Sequence, residues 1–423
     1  MYNSWNVAGA ARMLAAIALA GLLSISAALA QGAPIKIGVG LSLTGGSASP
    51  GKMLLAALEL WREDVNAKSG LLGRKVELIH YDDQSTPSNV PGIYTKLITV
   101  DKVDLLLGPY ATNFVAPAMP TIIQHNKMTI SLTAIGINRH FNYDKYFSMV
   151  PVGPDGVNAF SKGFFEIAAE QKPKPVTVAI LAADAEFARS ASDGAREEAK
   201  KRGFRIIYDQ SYPPATTDFT PMVRAVQAAN PDIFYVAAYP PDNVGIIRAA
   251  NEINLQPKMF GGAMIGMLIT PIRVQLGPVA NGLTIVETFL PSPKLQFAGL
   301  DDVMKRYMAK APELKTDPLG YAFVPLGYAA GEALAQAVEA AKSLDHARIA
   351  DQMRKLTFKT VVGEFAFGKD GEWTKARQFT TQVQNVIPNN VDQFRDGSKT
   401  PVIWPPEYKS GDFIYPYADA RKK

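Results

Sequence analysis

Two stretches of small polar residues come closest to chemistry in this sequence: Tyr110-Ala111-Thr112-Asn113 and Leu132-Thr133-Ala134-Ile135-Gly136. A threonine hydroxyl beside free backbone N–H groups at a helix start makes a natural carboxylate site. Placement gives the two stretches their interest. The first follows the apolar run 103–107, which reads as a buried strand of a parallel sheet and is stopped by Gly108-Pro109. A helical pattern then runs to about Asn126, and Thr112 or Asn113 can cap it by accepting a backbone N–H. The second follows another strand, Met128-Thr129-Ile130-Ser131. Neighbouring strands thus deliver both loops at their carboxyl ends, the edge where open α/β sheets bind ligands. A helix cap at Thr112 and an ordinary loop residue at Thr133 account for the same pattern equally well.

Other chemistries find little support. Gly38-Val39-Gly40 invites a dinucleotide fingerprint, but Leu43 stands at the third glycine position. There is no phosphate-cradling Gly-Lys-Ser/Thr loop and no Gly-x-Ser-x-Gly elbow. The four histidines, His80, His125, His140 and His346, show no metal-binding spacing. Asp82-Asp83 could be an acid/base or metal pair, but a solvated loop at a strand end is the better reading. With no cysteine in the chain, disulfides, thiolate metal sites, a cysteine nucleophile and a lipid-modified cysteine are all excluded. No cofactor, no metal and no enzymatic activity are expected.

The elements that must position the loops alternate. Strands at about 35–40, 76–81, 103–107 and 128–131 are separated by helical patterns. The clearest of these has Leu54, Leu58, Trp61 and Val65 on one face. Between the first strand and that helix, residues 44–51 read as a flexible loop. This is the signature of a parallel sheet wound by right-handed crossovers. Near Pro151-Val152-Gly153 the alternation restarts. Strands at about 176–181, 204–208, 233–238 and 259–262 follow, with Phe187 and Tyr239 just past two strand ends. A further strand, 283–287, precedes helices at about 300–310, 324–341 and 347–354. The fold class is therefore α/β, with two doubly wound lobes joined by a multi-crossover hinge. The expected division is lobe I at 31–151 plus 286–361 and lobe II at 152–285 plus 362–387. A Pro- and aromatic-rich tail, 388–423, is expected to lie extended over the surface.

The chain has 423 residues, too many for one ordinary core. Its formal charge is +5; residues 1–30 hold one Arg and no acid, which leaves +4 without them. Acids are interspersed throughout, so nucleic acid is not an expected partner. Residues 1–30 read as a secretory leader: Arg12, the apolar run 13–23, then Ala28-Leu29-Ala30 as a cleavage site. A secreted chain with neither lipid anchor nor membrane helix points to the periplasm.

The run 35–51, Leu71-Leu72-Gly73-Arg74-Lys75-Val76-Glu77-Leu78, Tyr81-Asp82-Asp83-Gln84, Leu107-Gly108-Pro109-Tyr110, Thr217-Asp218-Phe219-Thr220 and Gly245-Ile246-Ile247-Arg248-Ala249 occur in this order. As a set they resemble the periplasmic leucine/isoleucine/valine-binding protein family, over roughly residues 34–386. The resemblance implies a type I periplasmic binding fold, three crossovers and closure of the lobes on a ligand. It also implies docking on the permease subunits of an ABC transporter, and a monomer. Thr112 matches the family's hydroxyl for the ligand carboxylate, with Tyr110 and Ala111 in the same loop. Thr133 and Ala134 match the loop that offers backbone groups. Phe187 and Tyr239 match second-lobe aromatics. Ile135 stands where relatives often carry threonine, and Pro50 where they often carry an aromatic, leaving Ser49 as a substitute. Met264 falls where amino-acid-binding relatives place an acid for the ammonium. The implied ligand is a small carboxylate: a branched-chain amino acid if Asp184, Glu186 or Asp242 replaces that acid, or an aromatic or aliphatic carboxylate if none does. A periplasmic sensor that signals to a membrane receptor is the alternative role.

Overall fold

The computed structural model describes residues 32–422, so the leader expected over 1–30 lies outside the described residues. Lobe I opens with β1 (Ile35–Leu41), α1 (Ala48–Ala67), β2 (Val76–Asp82), α2 (Val90–Thr99) and β3 (Leu105–Leu107). It continues through α3 (Thr112–Gln124), β4 (Thr129–Ser131), the short α4 (Ile137–Phe141) and β5 (Tyr146–Ser148). The strands form one parallel sheet in the order β2-β1-β3-β4-β5. Every residue of β3, β4 and β5 is buried, as strands covered by helices on both faces must be. The Gly38-Val39-Gly40 pair serves this covering. A Cβ at Gly38 would come within 3.0 Å of Leu97 and Val103, and one at Gly40 within 3.1 Å of Ile93.

Lobe II repeats the alternation: α5 (Ala159–Glu170), β6 (Thr177–Ala183), α6 (Glu186–Lys201), β7 (Arg205–Tyr212), α7 (Thr220–Ala229), β8 (Ile233–Ala238), α8 (Pro240–Glu252), β9 (Met259–Met264), α9 (Thr270–Leu276) and β10 (Thr284–Glu287). The chain then returns to lobe I with α10 (Leu300–Leu314), α11 (Val324–Ala341), α12 (His346–Lys355) and the hairpin β11 (Phe358–Thr360) and β12 (Gly363–Phe365). It ends on lobe II with β13 (Phe379–Gln382), β14 (Val402–Trp404) and the short α13 (Tyr417–Ala420). The second sheet runs β14-β13-β10-β9-β8-β6-β7, with β13 and β14 antiparallel to their neighbours. Each lobe has its own apolar core.

Four expectations need correction. The loop expected over 44–51 is shorter, because α1 already begins at Ala48. It is also tied down: Asp82 accepts N–H bonds from Leu43 and Thr44 at 2.9 and 3.2 Å. Asp83 is fully buried rather than solvated, and accepts the Ser42 hydroxyl at 2.7 Å. The acid pair therefore fastens the loops after β1 and β2 together. The division expected at 361/362 also moves, because Phe365, Phe367 and Trp373 pack into the lobe I core. The tail does not merely lie on the surface. Its β14 extends the second sheet, and Tyr417 packs edge-on against Phe260 at 5.7 Å.

Candidate functional site

The carboxyl ends of β3 and β4 face lobe II at the starts of α6 and α8. The loops after β3 and β4 are laced by their two threonines. Thr112 Oγ1 accepts the Ile135 N–H at 3.1 Å, and Thr133 Oγ1 accepts the Ala111 N–H at 3.0 Å. Each hydroxyl thus serves the other loop, and neither Thr112 nor Asn113 caps α3 as expected. The cap position belongs to Ala111, whose φ of 63° and ψ of 156° lie in a region used almost only by glycine. Holding an alanine there costs on the order of 1–3 kcal/mol. The Thr133 bond to its N–H is part of what fixes it. With no side-chain cap, the first N–H groups of α3 remain open to an anion.

Between the lobes lies a small cavity walled by aromatics. Tyr110 and Phe323 come from lobe I, with ring centres 5.8 Å apart at 72°. Phe160, Phe187 and Tyr239 come from lobe II; Phe187 meets Phe160 at 5.3 Å and Tyr239 at 6.0 Å, both edge-on. Ile265, Leu268 and Leu326 complete the apolar lining, and Val150 and Thr288 contribute from the crossovers. The polar groups are hydroxyls: Thr133, Thr288, Tyr110 and Tyr239. Burial pushes both phenols far above their ordinary range, so they act as neutral donors. Tyr239 Oη is buried without a hydrogen-bond partner. No lining side chain carries a charge. The enclosed space is about 30 Å³, roughly one water's share, so a larger molecule enters only as the lobes part.

A second interlobe space of about 310 Å³ adjoins it, since Ala111–Thr112 and Glu186–Phe187 each put one residue on either side. Thr112 and Ile135 line it from lobe I, and Glu186, Arg189 and Ser190 from lobe II. Arg189 pairs with Asp184 at 2.8 Å, and this bond holds the Asp184 carboxyl below its usual range. Asp242 accepts the Tyr212 hydroxyl at 2.9 Å, while burial pushes its pKa up to about 6.

Of the residues singled out in the sequence, Tyr110, Ala111, Thr133, Phe187 and Tyr239 line the aromatic cavity, and Thr112 and Ile135 line its neighbour. Ala134, Met264 and Ser49 line neither. The Ala134 carbonyl accepts the Ser148 hydroxyl at 2.7 Å. Met264 is 1% exposed in the lobe II core, and Ile265, one residue on, takes the place on the cavity wall. Ser49 lies in the first turn of α1, within 3.2 Å of the Thr316 hydroxyl. Phe160, Thr288 and Phe323 were not among the expected residues. Phe160 and Phe323 have no local signal that sets them apart from core aromatics, and Thr288 lies on a crossover segment with no local motif. Among the described residues no cluster of three or more His, Asp or Glu side chains is placed to hold a metal.

The comparisons with known proteins fit this architecture. The chain is 26% identical over 365 residues to the leucine-, isoleucine-, valine-, threonine- and alanine-binding protein of Pseudomonas aeruginosa, covering 85% of this chain and 92% of that one. The branched-chain amino acid transporter substrate binding protein of Streptococcus pneumoniae, solved with isoleucine, matches with a TM-score of 0.71 at 19% identity, over 88% of this chain and 100% of that one. An ABC transporter solute binding protein of R. palustris, solved with benzoate, also gives 0.71, at 18% identity, over 88% and 95%. Two lobes shut on an aromatic-walled cavity, together with a match of residues 34–385 to the periplasmic binding protein model, establish that the chain belongs to that family.

Proposed function

We propose that the chain is the periplasmic substrate-binding component of an ABC importer, and that it captures a small carboxylate with an apolar or aromatic body between its lobes. The observation that carries this reading is the cavity itself: five aromatic side chains and four hydroxyls, with no charged residue. Apolar surface there holds the body of the ligand. The open N–H groups of α3 and the threonine loops are suited to its acid group. A buried ammonium would lack a partner in this lining, which costs several kcal/mol. The family match and relatives that bind branched-chain amino acids or benzoate support the transport role. No helix among the described residues is long and apolar enough to cross a membrane. Family membership supports a permease partner and a periplasmic location.

One observation favours an α-amino acid instead. Glu186 lines the adjoining space, while Arg189 on the same wall is already paired with Asp184. A thermal-shift panel separates the two readings: leucine and valine against benzoate, 4-methylpentanoate and short fatty acids. A ligand at ~100 times its Kd stabilises by about 2.7 kcal/mol, a clear melting shift. Acids without an amino group are expected to give it. Stabilisation by leucine alone would move the assignment to amino acids, and no shift with any acid would remove the carboxylate reading altogether.

A further inference from the structure

The segment that leaves β10 toward α10 separates two spaces. Thr288 faces the ligand cavity, whereas Phe289, Leu290 and Pro291 face a groove of about 590 Å³ on the opposite side. The returning segment is divided in the same way: Phe323 faces the cavity and Tyr321 the groove. One wall of the groove is α10 of lobe I, through Met304, Lys305 and Met308. The other is Arg395-Asp396 in the C-terminal segment, anchored to lobe II by Phe394 in that lobe's core. The walls already touch at one point, where Arg395 Nη1 lies 3.1 Å from Met308 Sδ and the Tyr321 hydroxyl donates to the Arg395 carbonyl at 3.4 Å. The family match ends at residue 385, so this second wall is made by chain beyond it.

We propose that this groove is the counter-face of the hinge and limits how far the lobes open. Lobes rotating about the crossover strands move the walls on the two sides in opposite senses. Widening the ligand cavity from its 30 Å³ therefore narrows the 590 Å³ groove, until the rest of α10 closes on Arg395-Asp396 beyond the contact that Met308 already makes. Side-chain volume in the groove opposes opening and biases the ligand-free protein toward the shut arrangement. The ligand cavity itself is untouched, so the effect is one on population, not on contacts with ligand.

The chain has no cysteine, so Val100→Cys and Val176→Cys, at exposed positions in lobes I and II, provide a single spin-label pair. Interlobe distances are measured by pulsed electron resonance on the full chain without ligand. Lys305 is exposed on the groove wall, and Lys305→Trp adds bulk without entering the core. The expected result is a shift of the distance distribution toward the value in this shut structure for Lys305→Trp, and none for Lys305→Ala. If Lys305→Trp melts early, Asp396→Trp fills the groove from the other wall. An unchanged distribution in a folded tryptophan variant, or the same shift with Lys305→Ala, overturns the proposal. The readout needs no ligand, so it stands or falls independently of which carboxylate the cavity takes.

Discussion

Thr112 is the residue whose role changes most between sequence and structure. Its type and position allow a helix cap or a ligand contact. The structure gives its oxygen to the Ile135 N–H, in exchange for the Thr133 bond to Ala111. A lacing of this kind joins two loops 22 residues apart and leaves no local motif, which is why a cap was the natural expectation. The hydroxyl hydrogen of Thr112 remains free to donate into the adjoining space. Thr112→Val keeps the shape but leaves the Ile135 N–H unpaired in a buried site. The expected cost is about 1–3 kcal/mol of stability. It is read as a lower Tm, accompanied by weaker binding of whichever acid the thermal-shift panel identifies. An unchanged Tm would mean that the two loops are held by other contacts. Met264 teaches a different lesson. Its alignment with an acid position is visible in the sequence, but its burial in the lobe II core, with Ile265 turned to the cavity, depends on the end of β9 and is visible only in three dimensions.

At the scale of elements, the periodic pattern of apolar residues was a good guide wherever strands and helices are long. The strand at 233–238 and the helix at 324–341 fall where expected, and α1 differs only in starting at Ala48. Two short strands have no counterpart in the sequence reading, unlike β3 and β4, which longer apolar runs mark. Tyr146–Ser148 and Val402–Trp404 have three residues each, too few for any period to register, and the latter is flanked by Pro401 and Pro405. Packing between helices is set by small residues that the pattern does not distinguish. α11 crosses α1 at Gly331, where a Cβ would run into the Trp61 ring. Trp61 is 3% exposed and fully committed to the lobe I core, so the ring has little freedom to yield. Gly331→Ala gains helix propensity, yet overpacking at such a contact typically costs 1–3 kcal/mol, and that term is expected to win. Chemical denaturation checks it: a lower midpoint with an unchanged slope is the expected outcome, and a higher midpoint would show that α11 can shift aside.

For the whole molecule, the two lobes and their multiple crossings were legible because the alternation restarts once and then returns. Where the crossings run was less so: the third carries Trp373 in the lobe I core before β13 joins lobe II. Glu372 lies on this crossing, 6% exposed, with both carboxylate oxygens lacking a hydrogen-bond partner. Burial, and then the nearby Asp370, push its pKa up to about 8; the Ser148 hydroxyl and Gly136 N–H oppose the shift without making well-formed bonds. The folded chain therefore holds this proton more tightly than the unfolded chain, where the carboxyl titrates near its ordinary 4.5. The stabilisation is complete below about pH 4.5, declines as pH rises, and is lost above about pH 8. The difference is on the order of 5 kcal/mol. Tm is expected to fall between pH 5.5 and 8.5 in the parent and to fall less in Glu372→Gln. Parallel pH profiles for the two proteins would show that Glu372 is not the group responsible.

The edge strand β14 carries a consequence for how the molecule is made. It pairs with β13, and both lie in sequence after the whole of lobe I, so the sheet of lobe II cannot be completed until residues near 404 have emerged. A polypeptide halted before that point presents the bare backbone of β13 to its surroundings, a template for sticking to other chains. Synthesis must therefore pass Trp404 before the sheet of lobe II is covered at this edge.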